Sequence, residues 1–441
     1  MTFTLLDTLG TTDAFAGVFS DRSLLAAMLQ FEVALARAEG LAGVIPADAV
    51  DAISRAADRD AFDVGAIAVG ARTSGTIAIG FVEAFTGRVR TLDARSAGYV
   101  HWGATSQDLT DTALVLCLGQ ARPLLERHHA RLVKALRRLS DEHAGSVMLG
   151  RTLLQPAPPI TFGLKAAGWH AACARGWRRV MAAFDEALVL QFGGASGTLA
   201  ALGDRGLDVA TRLGRELGLP VPDGPWHAHR DRLAGLLAAC AVYVGTMGKI
   251  AADIALLMQA ESGEAAEPGG NSSTMPQKQN PAGCAIAIAA ATRVPGLLAS
   301  FLAGMPQEHE RGVGGGHAEG PVVAALVQAT GAALSALQHV AENLRVDPAR
   351  MRANIAATRG TVFAERAMML LARSMGREAA HSLIRAAAGE AAAGSRRFVD
   401  VLAGLPQVAR ALTPAELSTL EDPDEYLGVA ERLRRQLLGD T

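Results

Sequence analysis

Along most of this chain apolar residues return at intervals close to 3.6, the period of a helix with one buried face. The pattern breaks at only a few polar, glycine-rich or proline-rich stretches. Residues 20–59 predict two helices, "SDRSLLAAMLQFEVALARAEG" and "PADAVDAISRAAD", with Ser20 or Asp21 as the N-cap of the first and Pro46 opening the second. From about 60 to 110, glycines and short polar clusters leave loops and short helices. A long helix is expected over 111–145, after which "GRTLLQPAPPITFG" (Gly150–Gly163) interrupts with three prolines and helix resumes to about Leu190. "QFGGASGTLAALGDRG" and "GLPVPDGPWHAHRD" are further interruptions with a helix between them. Residues 230–262 then run 33 positions without proline. Such a helix spans ~50 Å, a length that suits a bundle made of several chains better than a lone globular domain. Residues 282–305, with Pro295 as a kink, and 321–346 complete the long helices. Beyond Thr358 the helices shorten and the charge density rises. The expected fold is all-α in three regions: an N-terminal helical domain (1–110), a central long-helix bundle domain (111–355) and a small C-terminal helical domain (356–441).

Composition agrees with that reading. The chain is 50% hydrophobic but only 5% aromatic, which favours close-packed helices over sheets of β-branched and aromatic residues. Its 441 residues exceed what one hydrophobic core holds, so several regions or an oligomeric core are expected. A net charge of -2 with interspersed signs offers no basic stripe for nucleic acid. Cys117, Cys173, Cys240 and Cys284 lie far apart without metal-like spacing, which points to reduced thiols, no metal and a cytoplasmic setting. The N-terminus has no basic region followed by an apolar one, so no secretory signal is expected. Pro321–Val340 carries no Asp, Glu, Lys or Arg over 20 residues, but Gln328, Thr330, Gln338 and His339 dilute it, and a helix buried in protein is expected rather than a membrane span.

The stretch "GGNSSTMPQKQNP" (Gly269–Pro281) stands out between two apolar runs. By local composition it reads as a polar surface loop. Its arrangement, however, resembles the signature G-S-S-x-M-P-x-K-x-N-P of the aspartase/fumarase superfamily, with Ser272, Ser273, Met275, Pro276, Lys278, Asn280 and Pro281 in register. "HWGATSQDLTDT" (His101–Thr112) and "GRTLLQPAPPITFG" resemble the other two segments of that superfamily, in the same order. Further likeness in "LQFGGASGTLAALGDRG", "PWHAHRDRL", "ATRVPGLL" and "MPQEHER" is to the lactonizing branch, the bacterial 3-carboxy-cis,cis-muconate cycloisomerases. The resemblance implies an all-helical subunit, a homotetramer with active sites shared between subunits, a small di- or tricarboxylate substrate and no cofactor.

The chemistry of the superfamily moves a proton at the carbon beside a carboxylate while a group leaves or arrives at the neighbouring carbon. The difficult species is a carbanion conjugated with its carboxylate, and donors aimed at that charge are the main requirement. By resemblance Ser272 is the proton-transfer residue. Lys278 supplies a compact positive charge and Asn280 an amide donor. Thr105, Ser106 and Gln107 are candidate donors to a substrate carboxylate, and they also suit a helix N-cap. His101 is expected to line the site. Arg151 and Gln155 flank the "GRTLLQ" turn, where an arginine fork could clamp a carboxylate; Arg311 in "EHER" is a further candidate.

Leu153 occupies the place where lyases of the superfamily commonly carry an acid/base histidine. Leucine moves no proton, and lactonization needs none moved there, because the nucleophile is the substrate's own ionised carboxylate. The departure favours ring closure over a fumarase-like elimination. It is also compatible with the alternative of a β-elimination lyase that releases fumarate and an acidic leaving group. The glycines of "ERGVGGGHAEG" (Glu310–Gly320) imply a roomier site.

Overall fold

The computed structural model of the protein describes residues 5–271, 274–394 and 396–440. The described residues are all-α apart from two small two-stranded sheets. The elements run α1 (Asp13–Val18), α2 (Asp21–Leu41), α3 (Ala47–Ala56), α4 (Val64–Ser74), α5 (Ile77–Leu92), α6 (Ser106–Glu142), β1 (Val147–Thr152), β2 (Gln155–Thr161), α7 (Phe162–Ala187), α8 (Gly206–Leu217) and α9 (Asp231–Leu257). Then follow β3 (Ala265–Ala266), α10 (Ala282–Ala303), α11 (Gly315–Asn343), β4 (Arg345–Val346), α12 (Pro348–Ala357), α13 (Ala364–Met375), α14 (Arg377–Ala393) and the short α15 (Phe398–Ala403), α16 (Pro406–Ala411), α17 (Pro414–Thr419) and α18 (Ala430–Leu438).

Several boundaries have identifiable causes. Ser20 caps α2 by accepting a hydrogen bond from Ser23 N, as its position predicts. The broken region before residue 110 holds two real helices, α4 capped by Asp63 and α5 capped by Thr76, separated by Gly75 in the left-handed conformation. Three boundaries depart from expectation. Helix α6 begins at Ser106 rather than 111, α9 stops at Leu257 rather than running to 262, and α11 starts at Gly315 and absorbs Pro321. The proline-rich "GRTLLQPAPPITFG" is a β-hairpin, β1 pairing antiparallel with β2. Its prolines are tolerated because each strand of a two-stranded sheet keeps one edge outside the ladder. The turn residues Leu153 (φ 51°) and Leu154 (φ 63°) are both left-handed and both largely exposed, at 96% and 73%. That two-residue geometry normally selects Asn-Gly and costs ~1–2 kcal/mol for each residue bearing a Cβ.

The chain divides into two compact units, each made of three segments. The first comprises Met1–His129, Gly176–Gly248 and Ile286–Ala336. Its core includes Phe15, Phe31, Leu35, Ile53, Phe81, Phe85 and Tyr243, all fully buried. Gly331 faces Phe15 so closely that a Cβ there would lie 2.3 Å from the ring, so only glycine fits. Amphipathic α8 buries Val209, Leu213 and Leu217 and packs on α2. The second unit comprises Ala130–Arg175, Lys249–Ala285 and Leu337–Thr441. Within it, α13 to α16 close over Leu371, Phe398, Leu402 and Val408, and a smaller cluster joins Val147 and Leu149 of β1 to Ile355, Val362 and Phe363. All four cysteines are buried and unpaired.

Candidate active site

In the first unit, Thr105 stands at the N-cap of α6 and Ser106 opens the helix. Asp108, fully buried, turns back to accept from Thr105 N at 3.0 Å, the acidic half of a capping box. The same carboxylate accepts from Gly193 N (2.9 Å), Gly194 N (2.8 Å) and His227 Nε2 (2.7 Å). This one side chain therefore ties the start of α6 to the "GGASG" loop and to the "PWHAHR" segment. Gln107 does not fit the expected role of substrate donor. Its Nε2 donates to His227 O (2.8 Å) and Asp111 Oδ2 (3.1 Å), so both amide hydrogens are committed inside the protein.

Ser106 and Gln107 line a cavity of about 630 Å³ in this unit, together with Ser74, Thr76, Arg311 and His317. Beneath it the buried Arg230 makes a two-pronged contact with Asp111 (2.8 and 2.9 Å) and another with Glu319 (2.9 and 2.6 Å), and Gln307 donates to Glu319. Burial works against the Arg230 charge, but the two carboxylates raise its pKa above the ordinary guanidinium value. Burial also lifts the Glu319 carboxyl above its usual range, against the pull of Arg230. Arg311 donates to Ala195 O at 3.0 Å, which sets one edge of the cavity on the "GGASG" loop.

His101 lies just upstream with a left-handed backbone (φ 57°), uncommon for a residue with a side chain. Its Nδ1 sits 2.6 Å from Oε1 of Glu32, a buried residue of α2. Burial disfavours charge on the imidazole, but Glu32, by charge and hydrogen bond, and Asp108 outweigh it and raise the His101 pKa.

In the second unit, the loop carrying Lys278 is pinched at its base. Asn280 N donates to Gly270 O at 2.8 Å, and Asn271 and Gln279 form an antiparallel bridge. Gly270 (φ +70°) is required there, since a Cβ would fall 1.9 Å from Asn280 O. Glu267 anchors the loop from below, accepting from Gly283 N (2.7 Å) and Cys284 N (3.1 Å) at the start of α10. Lys278 is exposed, and Asn280 is half-buried. Ser272, the expected proton-transfer residue, lies outside the described residues together with Ser273.

Arg151 departs from the carboxylate clamp expected of it. Its guanidinium closes on Glu264 of the same unit with two bonds of 2.8 Å, and Asn354 donates to the same buried carboxylate at 2.7 Å. A guanidinium edge already spent on a protein carboxylate holds the hairpin to the approach of the serine loop. Gln155 is exposed beside it, paired with Thr152 across the turn. Among the described residues, no group of three or more His, Cys, Asp and Glu is placed to hold a metal.

Sequence reasoning missed Glu32, Asp108, Asp111, His227, Arg230 and Glu319. Only Asp108 had a local signal, an acid three residues after the Thr105 cap. The others meet partners 69 to 119 positions away in the chain.

An all-α subunit with a glycine-rich serine–lysine loop and a hydroxyl-bearing helix start is the framework of a helical lyase. A lyase family model matches residues 8–296 and an adenylosuccinate lyase C-terminus model matches 360–436; the chain belongs to this lyase family. It is 45% identical over 438 residues to a 3-carboxy-cis,cis-muconate cycloisomerase of Bradyrhizobium diazoefficiens, covering 98% of this chain and 97% of that one. The protein of the same name from Pseudomonas aeruginosa is 46% identical over 94% of this chain and 91% of its own length. The crystal structure of 3-carboxy-cis,cis-muconate lactonizing enzyme from Pseudomonas putida superposes with a TM-score of 0.93 at 44% identity, covering 99% of this chain and 98% of that one.

Proposed function

We propose that this protein is a cofactor-free cycloisomerase that closes 3-carboxy-cis,cis-muconate to a carboxymuconolactone. The observation that carries the reading is the likeness to such enzymes over nearly the whole chain. The exposed Leu153 agrees with it, because no acid or base is needed at that turn.

In this reaction a substrate carboxylate oxygen adds to one carbon of the diene, and the π electrons move to the neighbouring carbon and its carboxylate. Holding the two groups together gives the high effective molarity of a ring closure. Ser272 delivers the proton to that carbon and regains one from water, so the ionised carboxylate and one solvent proton together become the lactone. Lys278 and Asn280 stabilise the aci-carboxylate before protonation. His101, Thr105, Ser106, Gln155 and Arg311 receive the remaining carboxylates, while Gln107 and Arg151 keep the frame in place.

The working form is a cytoplasmic homotetramer with sites shared between subunits. Helices α9, α10 and α11 are long and apolar enough to cross a membrane, yet only 22% of the apolar stretch of α10 is covered within the chain. Helices of neighbouring subunits cover the rest in this reading. Light scattering should give a mass four times that of the chain.

The deciding assay mixes purified protein with 3-carboxy-cis,cis-muconate, and separately with unsubstituted muconate, and follows loss of diene absorbance. Rapid loss with the tricarboxylate is expected. No loss with either, together with fumarate release from a substituted succinate, would replace lactonization by elimination.

A further inference from the structure

His101 and Glu32 lie 69 positions apart, and three observations bear on why they meet. The imidazole is held at 2.6 Å by a carboxylate that is itself almost fully buried. The backbone at His101 adopts a left-handed conformation, which persists only where the surroundings fix it, and such outliers cluster at functional sites. Finally, the hydrogen bond uses Nδ1, and Nε2 has no hydrogen-bond partner among the described residues.

A histidine whose Nδ1–H is bound by a carboxylate has a fixed tautomer and ring orientation, and its charged form is favoured. The other groups near this ring do not cancel that effect. Asp108 adds a second negative charge from α6. Glu39, two helical turns along α2 from Glu32, is buried with neither carboxyl oxygen hydrogen-bonded, and burial followed by the Glu32 charge pushes its pKa up to about 9. Glu39 is therefore neutral near pH 7 and adds no charge to this region.

We propose that Glu32 is the positioning residue of the site: it holds His101 as an imidazolium whose Nε2–H is offered as a charged donor to a substrate carboxylate. This rests on the reading of His101 as a site residue. It adds a cation for an anionic substrate beyond Lys278 and Arg311, and gives that cation a fixed direction, which a solvated lysine lacks.

The test is Glu32→Gln, which keeps the shape and can still accept from Nδ1 but carries no charge. Two readouts are taken on the full-length protein, with His101→Gln used to assign the His101 resonance. The first is the titration midpoint of the His101 Cε1–H signal, which needs no activity and is expected to fall in Glu32→Gln by about one pH unit or more. The second is the pH profile of kcat/KM for 3-carboxy-cis,cis-muconate, whose alkaline limb should move down with that midpoint. Activity should then drop about tenfold or more near pH 8 and recover toward the parent value near pH 6, and Glu32→Asp should restore part of the loss. A midpoint that does not move overturns the hold of Glu32 on the charge. A midpoint that falls while the profile stays put overturns the role toward substrate. If the parent protein does not lactonize at all, the functional reading fails, and the resonance alone then decides whether Glu32 sets the charge of His101.

Discussion

The start of α6 and the loop around Lys278 are both polar interruptions in an apolar helical chain, yet they are built in opposite ways. Around Thr105 three carboxylates are buried and matched: Asp108 takes four donors, and Asp111 and Glu319 share Arg230. Around Lys278 the side chains from Thr274 to Gln279 are exposed, and the described anchors sit at the base, where Glu267 holds the α10 start and Gly270 presses on Asn280. The difference separates two tasks. Fixed charges withdrawn from water must be satisfied internally or they cost several kcal/mol, so the first region is a framework. A residue that must approach a reacting carbon has no such requirement, and the second region spends little on packing.

If this division is right, substitutions in the two regions should damage different quantities. The largest effect is expected from Ser272→Ala: turnover should fall ~10²–10⁴-fold with an unchanged urea midpoint and oligomeric mass. Turnover within a few-fold of the parent would remove Ser272 from proton transfer. In the buried region Arg230→Met strands two carboxylates, and a loss of ~3–5 kcal/mol in urea unfolding is expected. An unchanged midpoint would show that the network is not part of the framework.

Glu39→Gln sharpens the comparison in the other direction. Above its ordinary value of 4.5 the carboxyl ionises in the unfolded chain but stays protonated in the fold up to about 9, so the folded state binds more protons and stability falls as pH rises across that window. A neutral amide should therefore stabilise the protein by up to about 3 kcal/mol at pH 7, at ~1.4 kcal/mol per pH unit, with no gain at pH 4. Urea midpoints at both pH values check it; equal gains at each would contradict the protonated state of Glu39. Gly270→Ala opposes both the backbone angle and the Asn280 carbonyl, so a loss of more than ~1 kcal/mol is expected. Its turnover should also fall about tenfold. A variant that loses stability but keeps turnover would mean that the loop base belongs to the framework.

Much of the molecule was legible beforehand because its signals are local. Helical periodicity marked the long helices, and the serine–lysine spacing and the "ATSQD" cap were readable as short strings. The misreadings were also local. The prolines of "GRTLLQPAPPITFG" hid a hairpin, and Pro321 concealed the true start of α11. Arg151 and Gln107 have side chains suited to gripping a substrate, but nothing nearby in sequence shows whether their donors are free.

The sequence by itself determined the helical class, the serine loop and the family, since period and motif spacing are properties of neighbouring residues. Only the tertiary structure decided which polar groups are already occupied. It committed Arg151 to Glu264 across 113 positions and joined Arg230 to Asp111 across 119. It also brought Glu32 to His101 across 69, because a charge excluded from water takes whichever partner the fold brings within reach, however far off in the chain.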